Sequence, residues 1–193
     1  MKPHLIIMLK EPRPGRVKTR LGRQIGMVPA AWWFRHQVRR LLRGIEDPRW
    51  HTVLAVAPDR AGLASRVWPG HLSRWPQGQG DLGQRMARVL RAARGAPACV
   101  IGADVPGITR ARVAEAFKAL GDHDAVFGPA PDGGYWLVGL KHPGWQPRGF
   151  MRGVRWSSAY ALADTQATLP DHRIALVATL RDVDEAADLH VTG

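Results

Sequence analysis

Apolar and polar residues alternate between two periods along the chain. Short, nearly unbroken apolar runs fall at 4–9, 52–57, 98–102, 125–128, 135–140 and 173–177. Runs this short, bounded by Gly, Pro and Asp, predict strands. The first, third and last are continuously apolar, the pattern of central strands covered on both faces. Between them the period lengthens to that of a helix. Trp33, Phe34, Val38, Leu41, Leu42 and Ile45 predict a helix over 29–45, and Leu82, Met86, Val89, Leu90 and Ala93 one over 82–93 capped by Asp81. Thr109 caps a predicted helix over 109–120, Ser157 or Ser158 one reaching Thr168, and Asp182 or Asp184 a last short one over 185–189.

This alternation predicts a layered α/β fold: a three-layer α/β/α sandwich on a mostly parallel, mixed sheet. The run at 135–140 follows its predecessor after only Pro-Asp-Gly-Gly. That connection is too short for a parallel crossover, so at least one strand is reversed. At 193 residues the whole chain is expected to form one domain. The apolar run at 5–9 is too short for a membrane span or a signal-peptide core, so no membrane partner and a cytoplasmic location are expected. The single cysteine, Cys99, excludes an internal disulfide and reads as a small buried hydrophobe.

The net charge of +12 changes the picture only in part. Nucleic-acid binding is one explanation. However, 23 of the 28 basic residues are arginine, spread along the chain and not interleaved with stacking aromatics. A field of this sign equally attracts a nucleotide or a phosphorylated substrate.

Three segments that follow predicted strands carry candidate chemistry, at the position where open α/β sheets bind ligands. After the first strand, Pro14-Gly15 makes a turn, and Arg16, Lys18 and Arg20 alternate so that an extended backbone would project them to one side. Lys and Arg there suit phosphate, or form a solvated basic turn. After the strand at 98–102, Asp104 is placed for Mg²⁺ or Mn²⁺, or for leading a helix. In Asp132-Gly133-Gly134-Tyr135, the backbone allows close approach of an acceptor, or a plain hairpin turn. Asp182 and Asp184 offer a second metal ligand or a helix cap. Gly80 and Asp81 open a helix suited to an anion or a base.

Taken together, PGRVKTRL at 14–21, GQGDLGQRM at 78–86, IGADVPGIT at 101–109, GPAPDGGYWLVGL at 128–140, VRWSS at 154–158 and RDVDEAADL at 181–189 resemble a bacterial family of GT-A-fold transferases found with radical-SAM or arsenosugar genes. The resemblance spans nearly the whole chain. It implies the nucleotide-diphospho-sugar transferase fold and, more distantly, kinship with molybdenum-cofactor nucleotidyltransferases and phospholactate guanylyltransferases. It further implies binding of the nucleotide phosphates by Arg16, Lys18 and Arg20, and Pro14, Gly15, Gly80 and Asp81 are expected to join them at the nucleotide. Metal would be held by Asp104 with Asp182 or Asp184. The acceptor would meet Asp132, Gly133, Gly134 and Tyr135, with Asp104, Lys18 and Asp132 catalytic. Such families commonly carry Ser-Asp-Cys/Thr-Pro where this chain has Ala103-Asp104-Val105-Pro106, and an acid where it has Pro131. The implied function is a Mg²⁺-dependent glycosyltransferase using a nucleotide-sugar donor and a small-molecule acceptor. The alternatives are a nucleotidyltransferase releasing pyrophosphate and a non-catalytic nucleotide or nucleic-acid binding protein.

Overall fold

The computed structural model describes residues 1–183, so Asp184 and the helix expected over 185–189 lie outside the described residues. Seven strands form one sheet: β1 (His4–Lys10), β2 (His51–Ala57), β3 (Ser73–Pro76), β4 (Ala98–Gly102), β5 (Ala125–Pro129), β6 (Tyr135–Leu140) and β7 (Ile174–Leu176). Their order is β3-β2-β1-β4-β6-β5-β7. Only β6 runs against the rest, antiparallel to both β4 and β5. The mixed, mostly parallel sheet is the one expected, and the tight turn resolves into a β5–β6 hairpin.

Successive strand residues point to opposite faces, and the core divides accordingly. Leu5, Ile7 and Leu9 of β1 pack under Phe34, Val38 and Leu41 of α2 (Met27–Ile45) and Val113 and Leu120 of α5 (Arg110–Asp122). Ile6 faces the other way, into Met86, Val89 and Leu90 of α4 (Leu82–Ala92) and Phe150, Met151 and Leu169 around α6 (Ala161–Ala167). Helices therefore cover both faces, giving the three-layer sandwich. Two short helices, α1 (Thr19–Ile25) and α3 (Asp59–Leu63), complete it. Among the described residues no helix is long and apolar enough to cross a membrane.

The caps at Asp81 and Thr109 form as expected. Asp81 Oδ1 accepts from Gln84 N at 2.8 Å while Gln84 returns its side-chain oxygen to Asp81 N, a reciprocal capping box. Other expectations are corrected. The helix placed after Ser157 or Ser158 begins at Ala161, with Tyr160 at the N-cap position and no side-chain cap. Ser158 instead donates to Arg155 O at 2.6 Å and accepts from Tyr160 N, closing a turn. The run at 173–177 is not central: among the described residues β7 pairs only with β5, and Leu176 is exposed, because an apolar run does not reveal whether a second neighbour exists.

The chain leaves β1 toward β2 and β3, then returns to place β4 on the other side of β1. The order reverses there, and the loops after β1 and β4 diverge to leave a crevice at the carboxyl ends of the strands. After β7 the chain crosses the same end of the sheet. Val177 N donates to Phe127 O (2.9 Å), Leu180 N to Pro129 O (3.1 Å) and Val183 N to Asp104 O (3.3 Å).

Candidate functional site

The crevice between the β1 and β4 loops holds the shortest unlike-charge contact among the described ion pairs. Lys18 Nζ lies 2.7 Å from Asp104 Oδ2. Each residue is positioned by buried apolar neighbours: Val17 before Lys18, and Ala103 and Val105 around Asp104. The Lys18 side chain is 6% exposed and that of Asp104 34%, so the ammonium is sunk in the floor and the carboxylate faces the opening.

The basic loop is not the extended segment that its alternation suggests. Lys18 has φ 45 and ψ 49 and is the N-cap of α1, with Arg20 in the first turn. A left-handed residue starting a helix replaces the period-two arrangement. Arg16, Lys18 and Arg20 nevertheless line one cavity of about 470 Å³ with Asp104. The loop turn achieves what strand alternation was expected to do.

Two more cavities adjoin this one. On the β2 side, sharing Lys10 and Arg16, a cavity of about 430 Å³ is bounded by Glu11, Pro58, Asp59, Gly78, Gln79 and Arg85. Its wall is fixed from below: buried Gln77 donates its amide to Leu9 O and Ala55 O at 2.9 and 2.8 Å. Gly80 and Asp81 line neither cavity. The Asp81 carboxylate is engaged as the α4 cap, and Gly80 O accepts from Arg85 Nε at 2.8 Å. Pro14 and Gly15 are exposed at the turn preceding the cavity.

On the β6 side, sharing Met8, Leu82, Gly102 and Ser157, lies a smaller pocket of about 200 Å³. Its walls are mainly apolar and aromatic, including Met86, Tyr135, Trp136 and Trp156, with Asp132 and Gly134 at the rim. Tyr135 sits edge-on to Phe127 and Trp156. Its hydroxyl reaches Thr165 Oγ1 at 3.3 Å, and burial pushes the phenol far up, so it stays protonated. Asp132 is exposed and accepts from Gly134 N at 2.9 Å.

Gly133 does not face the pocket. At φ +84 it packs against the 159 backbone, and its carbonyl accepts from Leu162 N at 2.9 Å. The close approach that this glycine permits is to the chain itself. Asp182 precedes Val183, whose N–H donates to the Asp104 carbonyl at 3.3 Å, and it lines none of the three cavities described. Cys99 is fully buried, and burial raises its thiol well above the usual range. Reasoning from sequence passed over Glu11, Asp59 and Ser157 as site residues. The signal for the first two was their place directly after β1 and β2; Ser157 had none, because β4 and residue 157 meet only in the fold.

Arg155 holds the pocket wall in place. It makes a forked pair with Asp164 of α6 at 2.8 Å through Nε and Nη2 and lies over the Tyr160 ring at 3.9 Å. The Arg155 side-chain hydrogen bond lowers the Asp164 pKa to about 2 from 3.8. A depressed carboxylate pKa stabilises the fold above its unfolded value, and that contribution is lost as pH falls through the folded value. The Tm gap between the protein and Asp164→Asn is therefore expected to be steady above pH 4 and to close toward pH 2. Thermal unfolding from pH 2 to 6 checks this, and a gap undiminished at pH 2 contradicts it.

A larger cavity of about 660 Å³ lies at the opposite ends of β1, β2 and β3, lined by His4, Glu46, His51, His71 and Trp75. There His71 pairs with Glu46 at 2.9 Å, and burial, with the neighbouring His51, lowers His4. The charged groups that lie at the carboxyl ends of the strands are all at the other edge.

A family model matches residues 41–158, described as an uncharacterized protein conserved in bacteria, DUF2064. The chain belongs to the DUF2064 family. The matched span contains four of the six motifs, those at 78–86, 101–109, 128–140 and 154–158. No curated protein matches the chain at a significant level. Among solved structures, a candidate nucleotide-diphospho-sugar transferase from Desulfovibrio desulfuricans G20 superposes with a TM-score of 0.88. It is 29% identical over 99% of this chain and 86% of that one. A CMP:2-keto-3-deoxy-manno-octonic acid synthetase complexed with CTP superposes at 0.61 with 11% identity, covering 99% and 96%. The 2-C-methyl-D-erythritol 4-phosphate cytidylyltransferase of Thermus thermophilus does so at 0.54 with 18% identity, covering 100% and 97%. With these two the DUF2064 chain shares the fold.

Proposed function

We propose that this protein is a Mg²⁺-dependent glycosyltransferase that takes a nucleotide-sugar donor and a small-molecule acceptor. The observation that carries the reading is the Lys18–Asp104 pair, set with Arg16 and Arg20 in one cavity at the strand-order reversal. The likeness to the Desulfovibrio protein supports it.

The residues fit a divalent cation. Asp104 Oδ2 already faces a cation, the Lys18 ammonium, at 2.7 Å, and the carboxylate is open to the cavity. Mg²⁺ needs only one or two carboxylates when waters and phosphate oxygens complete its shell. Asp104 would hold it, with Asp182 or Asp184 as the candidate second ligand. Bound there, the ion would neutralise charge developing on the departing diphosphate.

The chain's own residues do the rest. Lys18, Arg16 and Arg20 clamp phosphate oxygens with charge and directed donors. The 430 Å³ cavity takes the nucleoside, and the 200 Å³ pocket takes the acceptor and shields it from water. The bond from the sugar anomeric carbon to the phosphate oxygen breaks, and one to an acceptor oxygen forms. Asp132, at the pocket rim, takes the acceptor proton, and the nucleoside diphosphate leaves.

The shared fold of the two cytidylyl-transferring structures favours a second reading, nucleotidyl transfer, in which an acceptor oxygen attacks the α-phosphorus and pyrophosphate leaves. A thermal-shift screen of nucleotide sugars and nucleoside triphosphates, with and without Mg²⁺, tests both. The glycosyltransferase reading expects a metal-dependent rise in Tm with a nucleotide sugar and free nucleoside diphosphate as product. Pyrophosphate as product selects the second reading, and no shift with any nucleotide rejects both.

A further inference from the structure

The 200 Å³ pocket on the β6 side differs from its neighbours in charge. The 470 Å³ cavity holds Lys10, Arg16, Lys18 and Arg20 beside Asp104. The 430 Å³ cavity holds Lys10, Arg13, Arg16 and Arg85 beside Glu11 and Asp59. Among the described residues, Asp132 at the rim is the only charged one lining the 200 Å³ pocket. Met8, Leu82, Gly102 and Ser157, which it shares with the 470 Å³ cavity, are all uncharged.

The pocket wall is aromatic and fixed in place. Trp156 lies against α4 where Gly83 leaves room: a Cβ there would stand 2.6 Å from Trp156 Cζ2. Tyr135 sits edge-on to Trp156, and its hydroxyl reaches Thr165 Oγ1, which donates to Ala161 O at 2.7 Å. The Trp136 indole N–H donates to Ala178 O at 2.8 Å, and Ser158 Oγ is engaged with Arg155 O and Tyr160 N. The other side-chain donors of the wall, the Ser157 hydroxyl and the Trp156 indole N–H, are neutral.

A phosphate or carboxylate taken into this pocket would lose its hydration, find no cation there and meet the Asp132 charge. A polyol would leave most of its hydroxyls unpaired. An apolar ring instead buries carbon against aromatic faces. Size narrows the choice further. An apolar cavity of about 150 Å³ holds one benzene molecule, so about 200 Å³ holds one ring with a short substituent.

We infer that the acceptor is a hydroxyl compound with a single apolar ring as its body, its hydroxyl at the Asp132 rim. Phosphorylated, carboxylated and polyol acceptors are excluded. The inference rests on the reading of this pocket as the acceptor site of a transferase.

The test is a ligand-observed NMR titration of benzyl alcohol without nucleotide, with cyclohexylmethanol, benzoate, benzyl phosphate and glucose as competitors. Benzyl alcohol is expected to bind with a Kd of roughly 1–10 mM, ordinary for a ligand of about eight heavy atoms. Cyclohexylmethanol is expected to compete within about threefold of it, and the other three to be weaker by about tenfold or more. Trp156→Ala is expected to weaken benzyl alcohol about fivefold or more by removing the aromatic wall. Leu82 is 46% exposed at the mouth, so Leu82→Arg leaves the core intact and carries the test should Trp156→Ala not fold. It is expected to retain benzyl alcohol and to bring benzoate within about threefold of it, because a cation then faces the pocket.

Benzyl phosphate competing as well as benzyl alcohol overturns the inference, since its phosphate then reaches the basic cavity with the ring in the pocket. Equal competition by glucose overturns it in favour of a sugar acceptor. No binding of benzyl alcohol, or binding unchanged in Trp156→Ala, also overturns it, as does benzoate still excluded in Leu82→Arg. All these outcomes leave the transferase reading standing. That reading falls by a separate result, the absence of any nucleotide-induced Tm shift.

Discussion

Asp104→Asn is expected to lower kcat/KM by roughly 10² to 10³, the usual consequence of removing one preorganised electrostatic contact at a site of developing charge. Asparagine has the shape of aspartate and keeps an oxygen for the Lys18 ammonium now 2.7 Å from the carboxylate. It lacks the charge that holds a divalent cation. The Asp104 side chain is one-third exposed, so water moderates the loss of the pair and Tm is expected to move by only a few degrees. The readout that separates chemistry from folding is the Mg²⁺ dependence of the nucleotide-induced Tm shift, which should vanish in Asp104→Asn. Lys18→Ala is expected to behave differently: weaker nucleotide binding with its metal dependence retained. Activity within tenfold of the parent in Asp104→Asn would refute the assignment of Asp104 as the cation ligand.

What was legible in the sequence follows a physical divide. Six strands and the caps at Asp81 and Thr109 were legible because their signals are local: an apolar run, or an oxygen placed one residue before a helix. Strand β3 (Ser73–Pro76) was not, because four residues at the sheet edge, with Arg74 turned to the carbonyls of Leu63 and Ser65, carry no alternation. Helix α1 was hidden because it is only 7 residues long, without a side-chain N-cap or an acid in its first turn, burying Leu21 and Gly22. Positions of the site were legible to the extent that the carboxyl end of a strand is a local property. Asp104 and Lys18 were named on that basis, yet their contact joins residues 86 positions apart (104 − 18) and depends on β1 lying beside β4. Glu11 offered only its place directly after β1, since a single acid between Lys10 and Pro12 otherwise looks like any solvated turn.

The Asp-Gly-Gly turn shows the same divide within three residues, and the second large effect is expected there. Gly133→Ala is expected to lower Tm by about 10 °C. A Cβ on Gly133 would stand 2.6 Å from Ala159 Cα, and backbone atoms cannot swing aside as a side-chain end does. The residue also sits at φ +84, where L side chains are strained. Strain of about 1–3 kcal/mol and overpacking of a similar size together amount to roughly 2–6 kcal/mol. A chain of this length loses about 2–4 °C for each kcal/mol. Gly134→Ala is the control: its Cβ would meet only the movable Asp132 carboxylate, at 3.1 Å, and a change of no more than about 2 °C is expected. The functional consequence follows from what Gly133 holds. Its carbonyl anchors Leu162, and with it the start of α6 and the 157–161 wall of the 200 Å³ pocket. Below its new Tm, Gly133→Ala should therefore raise KM for the acceptor while leaving nucleotide affinity nearly unchanged. A Tm within about 2 °C of the parent would mean that the 159 backbone yields to the methyl group, and the glycine would then be free to serve the acceptor directly.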